Sequence, residues 1–523
     1  MPMLRPLLVL CLLAAWLAPA DAADLRIGQA AAATSVDPHF YNASPNNSLA
    51  MHLFDRLTER APDGGLKPGL AVSWSMVGET VWEFKLRPGV KFQDGSDLTA
   101  EDVVFSLARA ANVPNSPGGF AGLVRAIERA EIIDPTTIRL HTAAPAPNLP
   151  GDLSDIAILS RRIAGNATTE DYNSGKAAIG SGPYKLVRYA PGDRVELIRN
   201  DAWWGGKPEW DRVSIRFIAN STARVAALLA GDVDIIDVPP TSDLSRLKAD
   251  VRLSVYNTDS QRMIYLQPDF SRIAEPAFIT DLAGNRLGWN PMRDVRVRRA
   301  LSLAINREAL TNRVMERTAS PTGQWLTSGM FGFNRDVPTP PFDLNLAKSL
   351  LIEAGFPLGF RITLHTPNDR YPNDSATAQA IAQMWSRVGV QTEVQALPWS
   401  IYTARGSHQE WSIGLWGWGS NTAEAGNALI NVLGTYDPAH GRGASNQGRY
   451  ANPALDALTD RALATIDDGS REDLLRQAVA MAMDDVAIIP LFQLVNYWAV
   501  RKDLFYEARG DERTIAMNAH RIK

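Results

Sequence analysis

Between residues 81 and 86 the side chains alternate, with Trp82, Phe84 and Leu86 on one face and Val81, Glu83 and Lys85 on the other. That period of two predicts a half-buried strand. Arg87-Pro88-Gly89 then turns the chain, Val90 to Phe92 reads as a second short strand, and Asp94-Gly95 as a second turn. At Thr99 the period changes. A residue suited to an N-cap precedes Glu101 and Asp102, whose charges complement a helix N-terminus, and Val103, Leu107 and Ala110 form an apolar stripe. A hairpin followed by a helix is the prediction here.

Other elements are read in the same way. Leu25 to Gln29 has strand character, and the glycine-proline crossing Ile179 to Tyr184 leads into strands at Tyr184–Leu186 and Val195–Ile198, marking a candidate domain boundary. A helix over 223–230 stops at Gly231, after which Asp232 and Asp234 alternate with Val233 and Ile235. That pair lacks the glycine and distal glutamate of a calcium loop, so no metal site is assigned. From Asp294 to Ile305, Val297, Leu301 and Ala304 share a helical face. The arginines beside them read as a solvated or ion-paired face rather than an anion site.

The second half is α/β. Phe360, Ile362 and Leu364 alternate as a strand. Ile381, Met384, Trp385 and Val388 recur at helical spacing up to Gly389, and Val390, Thr392 and Val394 form the next strand. A short helix over 399–406 and a third strand over 411–416 complete a repeat that predicts a parallel sheet with right-handed crossovers. Helices near 455–466 and 472–484 follow, then strands at 487–491 and 497–500. Open sheets of this kind receive ligands outside the carboxyl ends of their strands. Gly417 to Asn421 lies at such an end, with two glycines bracketing Trp418, so backbone and a large flat ring can both reach something small. The same residues also read as a core tryptophan beside a tight turn.

Composition narrows the function. The 523 residues, 45% hydrophobic and 21% charged, suit a globular protein of two or three domains. A net charge of −4 without basic runs argues against nucleic acid or an anionic membrane surface as partner. Residues 1–22 carry Arg5, the apolar run Leu7 to Leu17 and the small-residue site Ala20-Asp21-Ala22, a secretory leader cleaved after Ala22. Its apolar run falls short of the roughly 20 residues that span a bilayer. The single cysteine, Cys11, lies in that leader behind Leu10, where a lipoprotein signal wants a small residue, so no lipid is attached. A mature chain without thiols has no disulfide, cysteine nucleophile or thiolate metal site.

Nucleophile-elbow, zinc-protease, phosphate-loop and dinucleotide motifs are absent, and the seven histidines are scattered. Carboxylates are plentiful, which leaves a secreted carboxylate-dependent hydrolase as the alternative of another class. A chaperone-like binder of unfolded chains is a third. Among fourteen tryptophans, Trp416, Trp418 and Trp399 fall in one short interval near strand ends.

The segment Trp82-Glu-Phe-Lys-Leu-Arg-Pro-Gly-Val-Lys-Phe-Gln-Asp-Gly-Ser-Asp-Leu-Thr-Ala-Glu-Asp-Val-Val-Phe-Ser106 resembles the hallmark of the family 5 extracytoplasmic solute-binding proteins, the peptide- and nickel-binding receptors of ABC importers. Gly182-Pro183-Tyr184, Asn200 to Trp204, Gly231 to Asp234, Asp294 to Ile305, Glu353-Ala-Gly355 and Ala451 to Leu458 follow in the family's order. The resemblance implies an α/β, two-lobed periplasmic-binding-protein fold (type II, cluster C-like) with an extra subdomain in the first lobe. Lobe I would comprise 23–55, 177–258 and 487–523, the subdomain 56–176, and lobe II 259–486. It implies a monomeric periplasmic receptor that closes over a small-molecule or peptide ligand and hands it to an inner-membrane ABC permease with its ATPase, without cofactor, metal or catalysis.

In peptide-binding members a Trp-x-x-Asp pattern sets a carboxylate against the ligand's ammonium, whereas Trp418-Gly-Ser-Asn421 offers an amide. Breaking such a buried charge pair costs about 2–5 kcal/mol. Glu424 is then the alternative partner for an ammonium, and a modified peptide, an opine-like conjugate or a sugar the alternative to an ordinary di- or oligopeptide. Candidate ligand residues are Trp418, Asn421, Ser420, Trp416, Tyr41, Trp399 and Glu424.

Overall fold

The computed structural model describes residues 23–522 apart from Asn421 and His440. The leader with Cys11 and the candidate site residue Asn421 therefore lie outside the described residues. Among the described residues twelve strands form one mixed sheet, in the order Ile279–Thr280, Arg361–Pro367, Ile413–Gly419, Leu253–Pro268, Ile489–Arg501, Ile235–Asp237, Asp24–Gln29, Arg212–Phe217, Arg194–Arg199 and Tyr184–Ala190. Gln391–Leu397 joins Arg361–Pro367, and Ala319–Pro321 joins Ile489–Arg501.

Two strands are common to both halves of this sheet. Leu253–Pro268 and Ile489–Arg501 run antiparallel from Leu253↔Arg501 to Leu266↔Ile489, with a register break between Asp259 and Met263. At about 3.3 Å per residue the 16-residue strand extends roughly 50 Å, enough to carry the chain from one apolar core to the other. Before the break its partner strand also meets Ile235–Asp237; beyond it Arg262 to Pro268 pair with Gly419 to Ile413.

Strands predicted separately at 487–491 and 497–500 are a single strand, Ile489–Arg501. Its polar interruptions are tied to neighbouring segments: the Gln493 amide donates to Ser260 O at 2.6 Å and the Asn496 amide to Arg509 O at 3.0 Å. The α/β repeat is present as read, with Arg361–Pro367 parallel to both Gln391–Leu397 and Ile413–Gly419, and helices Asp374–Ser386 and Trp399–Ser407 between them. Ile413–Gly419 meets Leu253–Pro268 antiparallel, however, so the whole sheet is mixed. No local pattern announces a partner 150 residues away.

A separate antiparallel sheet orders Ala71–Gly78, Val81–Leu86, Thr137–Thr142 and Ile127–Asp134. Helix Ala100–Ala110 packs Val103 and Leu107 into the core formed with Phe84, Leu86, Ile138 and Leu140. Val90 to Phe92 is not the second arm of a hairpin. Both edges of Val81–Leu86 are taken by other strands, and Leu98 N–H to Val90 O (2.9 Å) and Phe92 N–H to Ser96 O (2.8 Å) close a tight loop instead.

The glycine-proline crossing lies directly on Leu53 and Phe54. Gly182 N–H donates to Leu53 O at 3.0 Å, and a Cβ at Gly182 would fall 2.6 Å from the Leu53 carbonyl carbon. Asp234 clamps adjacent strands through Arg26 at 2.7 Å. In helix Val295–Leu303 the arginines divide. Arg296 is ion-paired with Asp294 as read, whereas Arg298 is an internal strut, 2% exposed, donating to Met292 O, Val486 O and Asp485.

Candidate functional site

The loops after Arg361–Pro367 and Ile413–Gly419 lie at the carboxyl ends of neighbouring parallel strands, so they meet. The strand expected over 411–416 runs on to Gly419, so Gly417 and Trp418 lie in the strand rather than the loop, and Tyr371 ties its own loop to that strand end: its hydroxyl accepts the Gly417 N–H at 2.9 Å. Only glycine fits there, because a Cβ at position 417 would lie 2.7 Å from the Tyr371 ring.

Beside Tyr371, Arg370 presents its guanidinium over two rings, 5.1 Å from the Tyr371 centroid and 5.6 Å from that of Trp399. Among the described residues no carboxylate pairs with it. Desolvation lowers its pKa, and the Arg262 charge lowers it further, against the opposing influence of Tyr371, Glu512 and Tyr41. Its side chain nevertheless keeps accessible surface. Nearby Arg262 is neutralised by Glu512 at 2.7 Å, which leaves Arg370 as the unpaired cation of the pair.

Tyr41, from the other half of the sheet, acts electrostatically on Arg370 and is half-buried, its backbone bridged to Gly118. Trp399 lies under Arg370. Trp416 backs this wall, 8% exposed, with its ring centroid 5.7 Å from Trp399, 4.6 Å from Tyr402 and 4.8 Å from Trp411. Trp418 stands opposite Met263, half-buried, and its Nε1 has no hydrogen-bond partner. Ser420 is fully buried and turns the loop, donating its N–H to Gln261 O at 3.0 Å.

Glu424 is 4% exposed, and one of its oxygens is engaged by Arg471 at 2.6 Å. Burial raises its pKa and the Arg471 charge opposes the rise. The structure therefore sets Trp399 under Arg370 with Trp416 packed behind it, and places Glu424 in a cleft lined also by Arg60, Phe331 and Arg471. Reasoning from sequence missed Arg370 itself. The signal existed, since Asp369 to Pro372 follows a strand of the same parallel repeat that drew attention to Gly417.

A two-lobed binding protein is the class that this fold and cleft define. Residues 65–439 match the family described as "Bacterial extracellular solute-binding proteins, family 5 Middle". The chain belongs to this family. It is similar to heme-binding protein A of Haemophilus influenzae, with 27% identity over 487 residues covering 86% of this chain and 83% of that protein. It is likewise similar to the dipeptide-binding protein of Escherichia coli K12, with 27% identity over 495 residues covering 89% and 88%. Among solved structures, the periplasmic binding protein DppA of Helicobacter pylori in complex with the peptide STSA superposes with a TM-score of 0.80 at 22% identity, over 96% of this chain and 99% of that one. The structural neighbours are two-lobed periplasmic binding proteins, and the relatives are binding proteins rather than enzymes.

Proposed function

We propose that the protein is the periplasmic receptor of an ABC importer and captures a small peptide or modified peptide whose carboxylate sits on Arg370. The observation that carries this is a guanidinium that lies over the Tyr371 and Trp399 rings and that no carboxylate among the described residues pairs. A bound carboxylate supplies the missing countercharge in a bidentate, charge-assisted geometry, and aromatic faces receive the side chains. The dipeptide- and tripeptide-binding names among the relatives fit the same ligand class.

Lobe I is taken as 23–55, 177–258 and 487–523, and lobe II as 259–486. Separate apolar cores support this division except at its last boundary, where Ala487 to Leu494 pack with lobe II and only Trp498 onwards with lobe I, so the return to lobe I is taken near residue 495. The subdomain core spans Leu57 to Ile158, while Ala164 and Tyr172 pack with lobe I, so the inner edge of the subdomain is placed near residue 158 rather than 176. Closure of the lobes over ligand presents a surface to a membrane permease. Export through the cleaved leader and a monomeric state complete the proposal.

Calorimetry tests it. Dialanine should bind the protein, and Arg370→Ala should lose at least about 30-fold in affinity, since uncovering one partner of a desolvated charge pair costs about 2–5 kcal/mol. Unchanged binding by the variant would sink the proposal. A second reading, a ligand without a free ammonium such as an opine-like conjugate, is favoured by the amide of Asn421. It gains if N-acetylated dialanine binds through Arg370 better than dialanine does.

A further inference from the structure

At residue 238 the backbone of lobe I takes a conformation that its side chain opposes. Val238 has a φ of 41°, in the left-handed region that a β-branched residue rarely enters. Its neighbours hold it there. The Val238 N–H donates to Tyr497 O at 3.1 Å, and its carbonyl accepts from Nη2 of the buried Arg224 at 2.7 Å. Pro239 and Pro240 follow, their φ angles fixed by the rings, and Thr241 opens a short turn to Asp243. The result is a stiff arm that leaves strand Ile235–Asp237 and carries Thr241 at its end.

That arm meets lobe II at a second residue of the same kind. Asn373 has a φ of 54°, and although it stands at the N-cap of helix Asp374–Ser386 its side chain makes no cap bond. The amide instead donates to Thr241 Oγ1 at 3.2 Å and to Val314 O at 2.8 Å. With the lobes divided as above, the first of these bonds runs from lobe II to lobe I over 132 positions of sequence, and neither partner belongs to the two crossing strands. A left-handed conformation outside glycine costs free energy and persists only where the surroundings impose it, commonly at clamps and switches. Here two such residues flank one inter-lobe bond.

Asn373 also belongs to the loop that carries Arg370. The Asp374 carboxylate accepts the N–H groups of Arg370 and Tyr371, both at 3.2 Å, and Tyr371 accepts the Gly417 N–H. Residues 370 to 374 are thus one fastened unit, with the Arg370 guanidinium near one end and the Asn373 amide near the other. A bond made only when the lobes approach raises the closed population. Affinity for a ligand that binds the closed form then rises with that population.

We propose that Asn373 and Thr241 are positioning residues that latch the two lobes together, so that a ligand on Arg370 and the bond to lobe I act through the same loop. The proposal rests on the lobe division and on the ligand reading above, and the test separates them. The chain beyond the leader has no cysteine, so Lys502→Cys and Lys348→Cys, one exposed position on each lobe, accept a pair of nitroxide labels. Electron–electron double resonance without ligand should show the population at the distance of the latched lobes reduced about fivefold in Thr241→Val. That is the equivalent of about 1 kcal/mol, the net worth of one hydrogen bond. Asn373→Gly, which accepts the same φ and lacks the amide, should lose at least as much, and Thr241→Val should add nothing to it. Calorimetry with dialanine should show a matching loss of affinity, and stopped flow a faster release. Unchanged distance populations, or losses that add in the double variant, overturn the latch. Distances that shift while dialanine binds as in the parent overturn its link to the ligand. A parent that does not bind dialanine overturns the peptide reading, and the distance populations then decide the latch by themselves.

Discussion

Asp55 is held by two indoles. Trp203 Nε1 donates to one of its oxygens at 3.2 Å and Trp204 Nε1 to the other at 2.8 Å. Burial pushes the carboxyl up to about 6, against the restraint of those bonds. A folded-state pKa above the ordinary 3.8 means that the folded protein binds the proton more readily. This group's contribution to stability therefore falls as pH rises from about 4 to about 6. His39 and His52 act oppositely in the same window, because burial lowers both to about 4 and the unfolded chain protonates first as pH falls. Only a difference between variant and parent isolates Asp55. Asp55→Asn should gain up to about 3 kcal/mol relative to the parent between pH 4 and 7, read from urea unfolding at several pH values. A flat difference would show that the carboxyl does not titrate there. Among residues, those that announce themselves by type were legible. Trp418 and Trp399 drew attention as aromatics near strand ends, while Arg370 passed as one arginine of many until its lack of a partner became visible.

Helix Ala100–Ala110 shows how far local rules reach. Thr99 was read as the N-cap from its type, and the structure adds the reciprocal half: the Asp102 carboxylate accepts from the Thr99 N–H at 2.9 Å and its hydroxyl at 3.0 Å. The other Asp102 oxygen accepts the Arg161 N–H at 2.8 Å, which ties the helix start to a segment 59 residues on. Asp102→Ala should destabilise this helix by about 1–2 kcal/mol, and Thr99→Ala by less. Hydrogen exchange over 100–110 should speed up in that order; equal rates in both variants would leave the Arg161 link without energetic weight. The elements read incorrectly have one cause. Val90 to Phe92 has strand-like composition, but both edges of the preceding strand Val81–Leu86 are already paired with other strands. The polar positions 493 and 496 look like a break until a second strand and the C-terminal segment hydrogen-bond them.

At the scale of the molecule, four distant segments join through backbone alone. Pro62 O accepts from Gly510 N–H at 3.0 Å, Gly510 O from Gln261 N–H at 2.8 Å, and Gln261 O from Ser420 N–H at 3.0 Å. The relay crosses the register break of the long strand, beside the Arg262–Glu512 pair. The loop at Pro62, the C-terminal segment, the crossing strand and the loop at Ser420 thus share one junction. Ligand shifts the population towards a closed form only as far as it binds that form better. Small-angle scattering should show a smaller radius of gyration with dialanine, and no change for Arg370→Ala at the same concentration. A parent profile unaltered under saturating ligand would exclude closure.

By itself the sequence determined the alternation of strands and helices over 360–419, the cap at Thr99 and the place of Gly417 near the carboxyl end of a strand. It also carried the family, because its hallmark is a contiguous run. These follow from periodicity and turn chemistry, which act over a few residues. The tertiary structure alone decided that Arg370 lies over the Tyr371 and Trp399 rings with no carboxylate among the described residues paired to it. It also decided that Glu424 is already engaged by Arg471, and that Thr422, Glu424, Arg471 and Arg60 share a cleft. Such meetings depend on which surfaces fit after folding and on which charges find partners there, and no local pattern encodes either.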